Sequence, residues 1–314
     1  MKTLFLKSSV LVLMLSVGIN VFAQDYVSDA KKTFNVIKYV NCVTELNNAY
    51  AKPLSDSPNL FAACDRNIGM LLQNAEYRPI SYDCRKLSPY ENEVYACKNK
   101  MDSIPPFSEK AEIDRMINKA ENASLEVSIS CGKINAYFSQ SQYKDDSEFA
   151  QYKILKENLL SSIRQASLAW YGATQAATRA ADESEINLLK YNKRAEFLIP
   201  MKVTISAFKE LLNAFGAGVV DYAQIRQKAQ RFSNSINNDK DLSGKDLSKL
   251  PASSYQAVYG DFYKYCADGA SFITDLAQMM EQKADARDPE VQNLHSKARS
   301  AYSSAVNAYN TFIK

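Results

Sequence analysis

The sequence predicts an all-α protein, an elongated bundle of long antiparallel helices tethered by disulfides near its N-terminal part. Three observations carry this. Apolar residues recur at steps of three and four along nearly every segment. Only 9 glycines interrupt 314 residues, so the rods are long and their connections short. Six cysteines follow an export-type leader, and export delivers thiols to a disulfide-permissive space.

The leader comes first. Lys2 and Lys7 precede the apolar stretch 10–17, and Val21, Phe22 and Ala23 end it with small residues where a signal peptidase reads. The expectation is a signal peptide over 1–23 and a single helical domain over 24–314, periplasmic or secreted. The apolar run is shorter than the roughly 20 residues that span a bilayer. No cysteine stands at the junction for lipid attachment, and no later stretch approaches a membrane span.

The first helix is expected over 28–51, with Phe34, Ile37, Val40, Val43, Leu46 and Tyr50 on its buried face. Pro53 and Pro58 punctuate the break before a second helix over 59–75. Residues 78–107 hold Pro79, Pro89, Pro105 and Pro106 and are the least regular part. Within them, Ser88, Pro89 and Glu91 form a capping-box pattern that starts a short helix near Pro89. A long helix from Ser108 carries Ile113, Met116, Ala120, Val127, Cys131, Ile134 and Phe138, and stops near Tyr143. Asp145 and Asp146 suit the start of the next, whose stripe is Phe149, Tyr152, Leu155, Leu159, Ile163, Ala166, Trp170 and Ala173. Pro200 predicts a break or kink, and Gly216 and Gly218 a C-cap. A helix over 221–236 precedes an exposed polar loop over 237–253; Ser253 and Ser254 offer caps for a helix running towards 286. Asp288, Pro289 and Glu290 start the last helix, whose narrow alanine-rich stripe suits close packing, within a bundle or between chains.

Cys42, Cys64, Cys84, Cys97, Cys131 and Cys266 are the disulfide candidates. Cys84 with Cys97, around Pro89, is the first pairing expected; Cys42 with Cys64 joins neighbouring helices and leaves Cys131 with Cys266. No C-x-x-C pair marks a zinc site.

Chemistry is bounded mainly by what is scarce. The single histidine, His295, removes multi-His metal sites and reads as a partly exposed structural residue beside Leu294. The common phosphate-loop, dinucleotide, nucleophile-elbow and zinc-protease patterns are absent. With 38 Lys+Arg against 35 Asp+Glu and a net charge of +3, the balance is too even to mark nucleic acid or an anionic membrane as partner. Most of the 19 tyrosines, such as Tyr50, Tyr152 and Tyr265, read as packing residues. Asn122 begins an N-glycosylation sequon in mid-helix. The sequence therefore assigns no catalytic residue, metal ligand or cofactor.

Three stretches resemble the YiiG-like family of exported bacterial helical proteins, which carry a domain of unknown function. Lys32, Asn35, Tyr39, Val40 and Asn41 before Cys42 resemble the family's opening helix. Tyr137 with Tyr143, Lys144, Asp145 and Asp146 resembles its Tyr-Lys-Asp-Asp turn, and Tyr309 with Asn310 its closing segment. The resemblance spans 30–314 in the family's order and implies an all-helical exported domain with no catalytic residue to carry over. Many relatives look like lipoproteins, from which this leader departs, as do the extra cysteines. The function expected is a non-enzymatic module that binds an unidentified protein or envelope component. Its rivals are a carboxylate-dependent hydrolase of an envelope polymer and a small-ligand carrier.

Overall fold

Helices pair along this chain because each buries one stripe and leaves the rest to water. The computed structural model describes residues 23–215, 220–282, 285 and 288–313. Residues 1–22 of the leader expected over 1–23, and the expected cap at Gly216 and Gly218, lie outside them. The described helices are α1 (Ala23–Leu54), α2 (Ser57–Gln73), α3 (Glu91–Asp102), α4 (Lys110–Ser139), α5 (Ala150–Leu189), α6 (Ala195–Ala214), α7 (Tyr222–Asp239), α8 (Ser254–Glu281) and α9 (Pro289–Ile313). Among the described residues there is no strand, and no helix is long and apolar enough to cross a membrane. The fold is the all-α bundle of long helices that the periodicity predicts.

Hairpins organise it. α4 and α5 lie against each other, α1 packs along α5, and α3 covers α1; α8 pairs with α9 and α7, and α6 joins α5 to this second group. At 40 residues, α5 is about 60 Å long. Its first half helps bury Cys131, Ile134 and Tyr137 of α4, and its second half, through Trp170, Ala173 and Ala177, helps bury Tyr39 and Val43 of α1. A further core of Phe197, Phe208, Phe232, Phe262, Tyr263 and Phe312 lies among α6–α9. The alanine-rich stripe of α9 packs on α8 within the chain.

Helix ends are set by different groups from those expected. The capping box does not form: α3 starts at Glu91 with no side-chain cap at Tyr90, and the Ser88 hydroxyl pairs instead with that of Ser128, 3.1 Å away. Ser253 supplies no side-chain cap either. Asp146 does cap α5, accepting the backbone N–H groups of Gln151 (3.1 Å) and Tyr152 (3.3 Å), while Asp288 accepts that of Glu290 (2.8 Å) at the start of α9. Pro200 lies inside α6, which continues through it. Proline frees the carbonyl of Glu196 one turn back. Lys245 Nζ donates to that oxygen at 3.0 Å, so the turn persists with its acceptor satisfied.

The expected cysteine pairing is corrected. Cys84 joins Cys131, with Cα atoms 5.8 Å apart, while Cys42, Cys64, Cys97 and Cys266 are free thiols, all buried. Cys84 and Cys97 are near in sequence but belong to different cores: the turn Cys84–Leu87 lies on α4, whereas Cys97 faces α1. Asn135 fastens the same turn, accepting from Tyr82 N (3.1 Å) and donating to Tyr82 O (2.6 Å). Cys42 and Cys64 likewise fall in separate clusters, and Cys266 sits in the core of α6–α9.

Candidate functional site

A second correction exposes the candidate site. Thr33, Val36, Tyr39, Val43 and Leu46 form the buried face of α1, whereas Phe34 is 54% exposed. Both stripes have helical spacing and share Val43 and Leu46; tertiary contacts choose between them. Thr33 Oγ1 donates to the Ser184 carbonyl at 3.1 Å and accepts the Ser184 hydroxyl at 3.0 Å, deep between α1 and α5. Asp29 accepts the Tyr191 hydroxyl at 2.9 Å, and the Tyr26 and Tyr191 rings meet edge to face at 5.6 Å. These contacts fix the rotation of the first turns of α1.

Across from α1 lies the segment before α4. Ile104 is buried, and Phe107 sets its ring edge-on to Tyr39 at 5.2 Å. The Tyr39 hydroxyl donates to Asp114, which also receives Lys110 Nζ at 2.8 Å. Burial first, and Asp114 second, push the Tyr39 phenol above its ordinary range, so it stays a neutral donor. Pro105, Pro106 and Phe107 thereby form a supported strap.

Between strap and helix is an open cleft of about 200 Å³. Its α1 wall is Ser28, Lys31, Lys32 and Asn35; its other wall is Pro105, Pro106 and Phe107. Lys32 also lines an adjoining polar cavity of about 50 Å³ with Asp29, Glu109 and Glu183. Neither Lys31 nor Lys32 has a carboxylate within 4.0 Å among the described residues. Beside the cleft, Val27 is 62% exposed, and Lys38 Nζ lies 4.3 Å above the exposed Phe34 ring. Cations and bare apolar groups thus share one face.

The residues of the family-like motif do not converge. Asn35 lines the cleft and Tyr39 supports it from behind, whereas Asn41 is exposed further along α1. Tyr143 is half-buried against Tyr137 at the α4–α5 turn, where Lys144 and Asp145 are exposed. Asp146 accepts the Tyr137 hydroxyl at 2.8 Å besides capping α5. That turn and the strap lie at opposite ends of α4, whose 30 residues span about 45 Å. Tyr309 is buried in the core of α6–α9, and Asn310 is half-buried. The sequence reading missed Ser28, Lys31 and the strap; the signal available was the lysine pair one turn before an ambiguous apolar stripe.

Other reactive groups are occupied structurally. Burial, then Glu45, raises the Cys97 thiol to about 11, and burial raises Cys64 to about 12. Burial also lifts Cys42 and Cys266. These thiols stay protonated and are poor nucleophiles at neutral pH. Burial, then Arg299, lowers His295. Lys202 bridges Asp182 (2.8 Å) and Glu185 between α5 and α6; burial favours losing its proton, but the carboxylates outweigh this and keep it charged. Buried Arg194 donates to the carbonyls of Phe312 and Ile313 (2.6 Å to the latter), closing the C-terminal end of α9. No family model, curated protein or solved structure matches the chain.

Proposed function

We propose that the protein is an exported, non-enzymatic binding module that docks a protein or envelope component at the cleft between α1 and the Pro105–Phe107 strap. One observation carries the reading: Lys31 and Lys32, neither with a carboxylate within 4.0 Å among the described residues, border a supported cleft beside exposed Val27 and Phe34. Exposed Val27 and Phe34 beside a cleft give a docked partner apolar surface to cover. Export is supported by the leader-like residues and by a disulfide buried at Cys131. The YiiG-like resemblance, which carries over no catalytic residue, is in line with it.

The hydrolase rival needs a carboxyl held protonated near neutral pH. Asp56, Asp83, Glu112, Asp146, Glu196, Asp241 and Asp246 are all displaced downward. The carrier rival needs a pocket of about 300 Å³ or more, and the cleft offers about 200 Å³. The test is chemical cross-linking of the purified protein in envelope extract beside a folded Lys31→Glu, Phe34→Asp variant. The reading expects a component joined to the wild type and lost from the variant. Equal capture by both, or turnover of an envelope polymer by the purified protein, refutes it.

A further inference from the structure

We propose that this cleft captures the free carboxyl end of a partner polypeptide whose last side chain is apolar. The inference rests on the binding-module reading and names what that module recognises. Ser28, Lys31, Lys32 and Asn35 follow steps of three, one and three down α1, so two lysine side chains, a serine and an asparagine line one wall, within reach of a ligand's anionic group. The facing wall presents two proline rings and a phenyl ring, and proline has no N–H to offer. A ligand seated there carries an anion on one side and hydrocarbon on the other, within the width of a single cleft. A chain terminus has that shape: its α-carboxylate and last side chain leave the same Cα. The volume of about 200 Å³ suits one such residue rather than a drug-sized molecule.

Electrostatics narrows the class. With no carboxylate within 4.0 Å among the described residues, Lys31 and Lys32 can receive an incoming carboxylate without breaking an internal ion pair. Asp29, Glu109 and Glu183 border the adjoining cavity behind Lys32. Asp29 is engaged by the Tyr191 hydroxyl and Glu109 by that of Ser108. Their charges offset that of Lys32 and repel any anion in proportion to its charge, a phosphorylated segment or nucleic acid most of all, which leaves Lys31 as the main cation for a monoanion. The preceding partner residues then run out over the exposed α1 face, where Val27 and Phe34, seven positions apart, supply apolar contacts. The Thr33–Ser184 and Phe107–Tyr39 contacts hold both walls in place beforehand, which lowers the ordering cost of binding.

Fluorescence anisotropy of the full protein with a labelled heptapeptide ending in Leu-Phe tests this, using the free acid and its C-terminal amide. The expected result is binding of the acid and at least about tenfold weaker binding of the amide, as for loss of a charged hydrogen-bond partner. Lys31→Gln with Lys32→Gln, folded by circular dichroism, weakens the acid by a similar factor; Lys240→Gln, exposed just past the end of α7, leaves it unchanged. Acid and amide binding alike overturns the proposal without recourse to any variant. Hydrocinnamate binding as tightly as the peptide overturns it in favour of a small-anion site, and displacement of the peptide by inorganic phosphate in favour of a phosphate site. If no peptide binds while the Lys31→Glu, Phe34→Asp variant still loses its envelope component, this inference falls and the binding-module reading stands. If that variant keeps its component, the reading itself falls.

Discussion

Replacing Gly269 by alanine tests how tightly α6 and α8 approach. A Cβ built at Gly269 lies 2.0 Å from Phe208 Cζ and 2.8 Å from Cε1 and Cε2, so the ring points end-on at the glycine. Ordinary contact begins near 3.4 Å, which requires a displacement of about 1.4 Å. Phe208 has little room for it, being fully buried between the rings of Phe232 (5.6 Å) and Tyr302 (5.4 Å). Overpacking of this kind costs about 1–3 kcal/mol or more, against about 1 kcal/mol gained by exchanging glycine for alanine in a helix. Gly269→Ala should therefore lose up to about 2 kcal/mol on balance. Gly260→Ala, in the same helix with nothing within 4 Å of the added methyl, should gain up to about 1 kcal/mol. Urea titration by circular dichroism compares the two midpoints at equal slope. Phe208→Leu should cost less in the Gly269→Ala background than alone, because it relieves the collision. A Gly269→Ala protein as stable as Gly260→Ala refutes the argument.

Three further outcomes follow from single contacts. Lys245→Met strands the Glu196 carbonyl that Pro200 frees, at a cost of about 1–3 kcal/mol, and should cost less beside Pro200→Ala, which restores an N–H; a urea double-mutant cycle reads the coupling. Cys84→Ser with Cys131→Ser opens a loop of 47 residues, for which chain entropy gives about 4 kcal/mol at most; the same titration with and without reductant checks it. Burial raises the Asp146 carboxyl, but hydrogen bonds from Gln151, Tyr137 and Tyr152 outweigh it and lower the pKa. Its stabilisation is then full above the unfolded carboxylate value and is lost as pH falls through the lower folded one. Asp146→Ala should cost about 1 kcal/mol near pH 7, and its deficit against wild type should begin to shrink below about pH 4 and vanish only once pH has fallen through the lower folded value, as thermal unfolding across pH would show.

Helices were legible because their signal is distributed over many residues, as in the α4 stripe from Ile113 to Phe138 and the α9 stripe from Val291 to Phe312. Signals resting on one or two residues were overruled by partners distant in the chain. Ser88 reads as a cap locally but meets Ser128, 40 positions away. Pro200 reads as a break because Lys245, which repairs the turn, lies in a loop that sequence cannot place. Cys84 and Cys97 enclose a short loop, yet α3 turns Cys97 towards α1 while Asn135 holds Cys84 on α4. The overall charge balance likewise averaged out a local concentration of lysines on α1.

The cleft depends on the same choice as the core. Had Phe34, Ile37 and Val40 formed the buried face of α1, the helix would have turned and carried Lys31, Lys32 and Asn35 to another side. The stripe that wins includes Thr33, a polar residue whose burial needs compensation. That compensation is Ser184, on the last turns of α5, so the α1–α5 hydrogen bonds select the rotation that a hydrophobic count alone leaves open. The exposed Phe34 is then a consequence of satisfying Thr33. Thr33→Val makes the point testable: it removes the hydroxyl while keeping the branched shape, leaves Ser184 with an unmatched donor, and should loosen the first turns of α1 without unfolding the α6–α9 core. Hydrogen exchange should rise over residues 25–35 and stay unchanged over α8. Unchanged exchange in α1 would mean that apolar packing alone sets its rotation, and the cleft would lose its structural explanation.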